Sequence, residues 1–142
     1  MASKFSAFMA QNVEKIENKK VVVSTRFKDE DGNPVEWEIR AIMQDENEDI
    51  QRKCFVTNTV VGQRGAYSRE LDQVKYTSAL MAASVVYPDL NNAELQDSYG
   101  VKTPEALLKK MLLPIELGTL AEAVTSFSQL NEEEKLIEEA KN

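Results

Sequence analysis

The sequence predicts an α+β fold, a mostly helical single domain with an N-terminal helix and a β-hairpin. The chain has 142 residues, which is enough for one domain with a sizeable core. Apolar residues recur mainly at helical spacing, whereas two short runs alternate as strands do. We expect residues 1–130 to form the domain and residues 131–142 to form an acidic, flexible tail, in which only a frayed helix over residues 132–140 is expected.

The first element is an amphipathic helix predicted over residues 3–18, where apolar residues follow one another at steps of three and four. This stripe either packs on its own domain or forms an arm that docks on a partner. In the second case the contact residues are Phe5, Phe8 and Met9.

The hairpin is predicted from two alternating runs, residues 20–28 and 35–42, separated by a segment dense in turn formers. Trp37 is expected to pack this hairpin onto a helix. The acids before Gly32 resemble a calcium loop, but the glycine comes too early for the EF-hand pattern.

The next helix is predicted to begin at Asp45, with Glu48 completing a capping box. Cys54 follows at the end of this helix and is expected to be a small buried residue. The chain has no histidine that could activate its thiol.

Residues 55–66 are ambiguous, because strand-forming residues there lead into a turn. A second hairpin and a flexible loop are both compatible with this pattern. Ser68 is predicted to cap a long central helix over residues 69–86, which ends before Pro88.

Residues 87–100 carry signals for a short helix. Asn91 or Asn92 can cap a helix over residues 93–99, and Gly100 can end it in the left-handed conformation.

A further helix is predicted from Thr103, which caps, and Pro104, which takes the first helical position. Pro114 forces a break or a new start, and residues 115–127 are again helical in pattern. Four apolar residues around this break either form a partner-binding groove or pack in the core: Met111, Leu112, Leu113 and Leu117.

The composition excludes many chemistries. The absence of histidine removes the commonest general base and metal ligand, and no nucleotide-binding fingerprint occurs. A net charge of −7 disfavours nucleic-acid binding. A single cysteine indicates a reducing compartment, and neither a secretory signal nor a membrane-spanning run is visible. We therefore expect a binding protein rather than an enzyme, with no cofactor, no metal, no nucleic-acid partner and no membrane association.

Two long strings carry a resemblance to a known family: FSAFMAQNVEKIENKKVVVSTRFKDEDGNPVEWEIRAI and VVYPDLNNAELQDSYGVKTPEALLKKMLLPIEL. With them the chain resembles the XkdN-like phage tail assembly chaperones. The loop at residues 57–67 and the tail after residue 127 carry no matching pattern.

The resemblance implies a non-enzymatic chaperone in the bacterial host cytoplasm, absent from the mature particle. Such proteins bind the tape measure protein and keep it soluble until the tail tube polymerises around it. The resemblance also implies contact with the tail tube protein through a frameshifted longer product. We expect self-association, because coating a long client favours many copies. Two alternatives are a structural component retained in the tail and an acidic inhibitor that mimics DNA.

The last three residues, Ala140 to Asn142, are compatible with codons on which a ribosome slips back by one base. We therefore state a longer, frameshifted product as a hypothesis, against the alternative of an ordinary terminus.

Overall fold

The structure is a computed structural model that describes residues 4–62 and 64–127. It confirms the α+β class, with helices packed beside small antiparallel sheets. The strands are β1 (Lys19–Val21), β2 (Trp37–Ile39), β3 (Phe55–Thr59), β4 (Tyr67–Leu71) and β5 (Val85–Tyr87). The helices are α1 (Gln44–Arg52), α2 (Gln73–Ser84), α3 (Ala93–Ser98), α4 (Pro104–Met111) and α5 (Pro114–Thr125).

The predicted first hairpin is present, but its ladder is interrupted. Strands β1 and β2 pair in register up to Val21 and Trp37. Pairing resumes at the turn, where the Val35 amide donates to the Phe27 carbonyl at 2.8 Å. Residues 22–26 lie opposite Glu36 alone, so they bulge from the ladder and bury Val23 and Ser24.

The predicted helix over residues 69–86 is wrong at both ends. Residues up to Leu71 form β4, and Val85 begins β5, which pairs with β2 and completes a sheet in the order β1-β2-β5. Helix α2 begins instead after Asp72, whose carboxylate accepts from the Lys75 amide at 3.1 Å. Leu71 and Val85 fit the helical spacing of the stretch between them, but β4 pairs with the adjacent β3 and β5 pairs with the distant β2.

The second hairpin settles the ambiguity at residues 55–66. Strands β3 and β4 pair without interruption from Phe55 opposite Leu71 to Thr59 opposite Tyr67. Of the two alternatives, the hairpin is therefore confirmed.

The capping box predicted at Asp45 is wrong, although the helix is present. Helix α1 begins one residue earlier, after Met43, without a side-chain cap. The Asp45 carboxylate accepts from the amide of its neighbour Glu46, at 2.8 Å. It therefore makes a local bond instead of capping the helix.

The short-helix signals in the C-terminal half are confirmed. The Asn92 side chain accepts from the Leu95 amide at 2.9 Å, and Gly100 has a φ of +69°. The Thr103 hydroxyl accepts from the Ala106 amide at 3.1 Å. Pro114 starts α5 at its first position, where no amide hydrogen is needed.

The core lies where the three-stranded sheet meets α2, α4 and α5. Trp37 is at its centre, 1% exposed, with its ring centroid 6.1 Å from that of Phe27. Other fully buried members are Ile39, Met81, Leu107, Leu108 and Leu120. The role predicted for Trp37 is thereby confirmed.

The predicted N-terminal helix is wrong. Only a single 3₁₀ turn, Ser6–Phe8, forms in residues 4–18, and the Asn12 side-chain amide donates to the Ser6 carbonyl at 2.7 Å. The apolar stripe is exposed, Phe8 to 81%, so no packing stabilises a helix that would be marginal alone. The predicted helix over residues 132–140 lies outside the described residues.

Candidate functional site

A groove of about 710 Å³ lies between α1, α2 and α4. Helix α2 contacts both of the others and forms the floor, while α1 and α4 form the walls. We call this feature the α2 groove. Its lining consists of Glu46, Asp49, Ile50, Lys53, Cys54, Lys75, Ser78, Ala79, Ala82, Ala83, Asn91, Pro104, Glu105 and Lys109.

The floor is made of small side chains. Ser78, Ala79, Ala82 and Ala83 recur at steps of three and four, so they share one face of α2. Because these four side chains are small, the backbone of a partner helix can approach this part of α2 closely.

The rim of the α2 groove is charged but balanced. Three carboxylates, from Glu46, Asp49 and Glu105, face three ammonium groups, from Lys53, Lys75 and Lys109. This balance contrasts with the net charge of −7 for the whole chain.

Glu46 fixes the position of α1 against the sheet. Its carboxylate accepts from the Arg40 guanidinium at 2.9 Å, and this hydrogen bond lowers the pKa of Glu46 below its ordinary value. The Tyr76 hydroxyl also bonds to the Asn47 side chain, which ties α1 to α2. Cys54 is buried at the end of α1, as predicted.

A second polar cluster joins the first hairpin to α5. The Glu116 carboxylate accepts from the Arg26 guanidinium at 2.5 Å, from the Leu113 amide at 2.8 Å and from the Ser24 hydroxyl. These donors, led by Arg26, lower the pKa of Glu116 to about 2. Arg26 also donates to the Met111 carbonyl at 2.7 Å, so the cluster fixes the break between α4 and α5.

The described residues show neither a metal centre nor a membrane segment. In residues 4–62 and 64–127, no three metal-binding side chains lie together. None of the helices in these ranges is long and apolar enough to span a bilayer.

Comparison with known proteins decides the family. The family model for the phage XkdN-like tail assembly chaperone protein matches residues 5–141. The chain belongs to this family.

Two relatives of this tail assembly chaperone come from Bacillus subtilis (strain 168). The uncharacterized protein YqbN is 28% identical over 107 residues, which cover 75% of this chain and 70% of YqbN. The phage-like element PBSX protein XkdN is 27% identical over 107 residues, covering 75% of this chain and 71% of XkdN. The crystal structure of YqbN superposes with a TM-score of 0.70 at 23% identity, covering 86% of this chain and 92% of that one, and it supports the fold.

The structure does not bring the predicted contact residues of the chaperone together in one groove. Met111 and Leu112 are 6% and 8% exposed and belong to the core, and Leu117 packs against it. Leu113 is 52% exposed at the start of α5. Phe5, Phe8 and Met9 are exposed in the non-helical N-terminal segment. A role of these residues in partner binding stays a prediction.

The residues that line the α2 groove were not predicted as a site. The stretch from Leu80 to Ala83 is apolar around most of the helix, a pattern that is typical of a core helix. The available signal was the size of these side chains, since the stretch from Ser78 to Ala83 places four small residues on one face.

Proposed function

We propose that this tail assembly chaperone binds the tape measure protein and keeps it soluble until the tail tube polymerises around it. In this proposal an amphipathic helix of the client lies in the α2 groove. The observation that supports this placement is the open groove with a floor of small side chains, on a chain of this family. The role is one of binding, without catalysis.

The groove has the dimensions of a helix site. A volume of 710 Å³ equals roughly 9 Å of a cylinder 10 Å wide, or about six residues of a fully immersed helix. A helix that is immersed to half its width would occupy the groove with about twelve residues, or three turns. Recognition of an amphipathic helix in a groove uses anchors over about this length.

The charges of the rim define the client helix further. Small or medium apolar side chains on its inner face would rest on Ala79 and Ala83. Acidic and basic side chains on its flanks would meet both the lysines and the carboxylates of the rim. Because exposed pairs contribute little each, they favour one orientation more than they raise affinity.

Other partners follow from the same proposal. Several copies would coat a long client in the host cytoplasm, so self-association is expected. A frameshifted longer product would add contact with the tail tube protein. A chaperone released during assembly is absent from finished particles, whereas a structural component of the tail would remain in them.

Co-expression with the tape measure protein of the same particle tests this function. We expect the client to become soluble only with the chaperone present, in a complex that contains several copies by light scattering. A client that stays insoluble beside soluble chaperone would contradict the proposed function.

A groove variant tests the placement. Ala79→Phe fills the floor of the α2 groove, and Thr77→Phe places the same side chain on an exposed position of α2 outside it. We expect the first variant to lose solubilisation and the second to retain it, with the fold of both checked by circular dichroism. Equal solubilisation by both variants would show that the client binds outside the α2 groove.

A further inference from the structure

The N-terminal segment, residues 4–18, carries an apolar stripe that is exposed in the described part of the structure. Phe8, Met9, Val13 and Ile16 have the spacing of one helix face, and all four are exposed. An apolar stripe contributes to stability only when another surface covers it. The helical spacing of this stripe therefore favours a helix that forms when the segment packs on another surface. Exposed apolar clusters of this size mark interaction sites.

The same molecule has a surface of the matching type. The α2 groove has a floor of small side chains, and none of its described lining residues comes from residues 4–18. The segment joins β1, which lies at the opposite sheet edge from β5, the strand that continues directly from α2. The segment therefore does not occupy its own groove, and the groove of a second copy is open to it.

Charge favours this pairing over other contacts between copies. Residues 4–18 contain two lysines and two glutamates, and the rim of the groove contains three lysines and three carboxylates. Both surfaces are therefore neutral, and the net charge of −7 resides on the rest of the chain. Two copies can bring these surfaces together without the like-charge repulsion that their other faces meet.

We propose that the N-terminal segment of one copy folds into a helix in the α2 groove of a second copy. The apolar stripe lies on Ala79 and Ala83, and Lys4 and Lys15 come near the rim. The free chaperone thereby keeps its groove covered by an amphipathic helix until a client helix replaces it. The pairing itself needs no client and is tested without one.

Isotope-mixed cross-linking of the full chain tests the proposal directly. Equal amounts of ¹⁴N and ¹⁵N protein are mixed and treated with an amine-reactive cross-linker, and mass spectrometry identifies the linked peptides. We expect links from Lys15 to Lys53, Lys75 or Lys109 that join a light peptide to a heavy one. The same links found only within one isotope would place the segment in its own groove and overturn the proposal, as would their absence.

Two variants with the same change of charge separate docking from general surface effects. Phe8→Asp alters the segment, and Val61→Asp alters a residue that is 99% exposed in the turn of the second hairpin. Burial of a phenylalanine corresponds to tenfold or more in affinity, so Phe8→Asp is expected to reduce the mixed links about tenfold. Val61→Asp is expected to leave them unchanged. Equal yields in both variants would overturn the proposal, whatever co-expression with the client shows.

Discussion

The two hairpins of this molecule differ in the interactions that stabilise them. The first has strands of three residues and an interrupted ladder, yet it buries Trp37 and Ile39 and is joined to α5 through Arg26 and Glu116. The second has strands of five residues and an uninterrupted ladder, but none of the residues in β3 or β4 is buried.

The contrast separates regular strand pairing from burial of side chains, and the two contribute differently to stability. Each backbone hydrogen bond of the folded protein takes the place of a hydrogen bond to water in the unfolded chain. Its net contribution to the free energy of unfolding is therefore about 1 kcal/mol. Removal of a large apolar side chain from water contributes about 1.5–3 kcal/mol. The first hairpin is therefore expected to be part of the cooperative core and the second to open locally.

Truncation of one aromatic side chain in each hairpin should give the largest difference. Trp37→Ala leaves a cavity in the core and is expected to lower the free energy of unfolding by about 3–5 kcal/mol. Tyr67→Ala removes an exposed ring from β4 and is expected to cost less than about 1 kcal/mol. Urea denaturation followed by circular dichroism measures both. Similar losses would mean that the second hairpin is as well packed as the first.

The polar cluster of Glu116 and Arg26, which joins the first hairpin to α5, should give a smaller effect that depends on pH. Glu116→Gln removes the charge that Arg26 meets and is expected to lower the free energy of unfolding at pH 7. Because the folded pKa of Glu116 lies near 2 instead of 4.5, this stabilisation is fully present above pH 4.5 and is lost as pH falls toward 2.

The wild type and the Glu116→Gln variant should therefore converge in stability between pH 4.5 and 2. Urea titrations at several pH values measure this difference. Glu70→Gln, on the exposed β4, makes the same change of charge and serves as the matched control. A constant gap between wild type and Glu116→Gln down to pH 2 would show that the cluster acts through packing instead of charge.

The smallest effect is expected at the ring contact on the second hairpin. The Arg69 guanidinium lies 4.8 Å from the centroid of the Phe55 ring. At this exposed position Arg69→Ala should cost about 0.5–1 kcal/mol. A loss above about 2 kcal/mol in the same urea assay would show that the contact stabilises the pairing of β3 with β4 more than an exposed cation–π contact does.

The features that could be predicted from the sequence are those that local interactions determine. Helix boundaries in the C-terminal half depend on residues that interact with their sequence neighbours, namely Asn92, Gly100, Thr103 and Pro114. The starts of α3, α4 and α5 and the end of α3 could therefore be predicted. The assignment of β5 failed because its partner β2 lies far away in the sequence, and the assignment of β4 failed because its pairing with the adjacent β3 overrides the helical spacing of its residues. The N-terminal helix failed because no surface within residues 4–62 and 64–127 covers its apolar stripe.

The α2 groove was beyond prediction for a related reason. The small residues Ala79 and Ala83 become a floor only because α1 and α4 stand apart on either side of α2. That separation depends on contacts such as Tyr76 with Asn47, which carry no recognisable motif. The family was recognisable from the sequence because long strings of letters carry it, whereas a site built from three helices needs the tertiary structure.

Hydrogen exchange of the Phe8→Asp variant, in which docking of the N-terminal segment is weakened, is compared with and without the proposed client, the tape measure protein of the same particle. We expect the client to slow amide exchange in α1, α2 and α4, the three helices of the groove, and to leave the second hairpin unchanged. Protection confined to the hairpins, or none in a complex that survives chromatography, would show that the client binds outside the α2 groove.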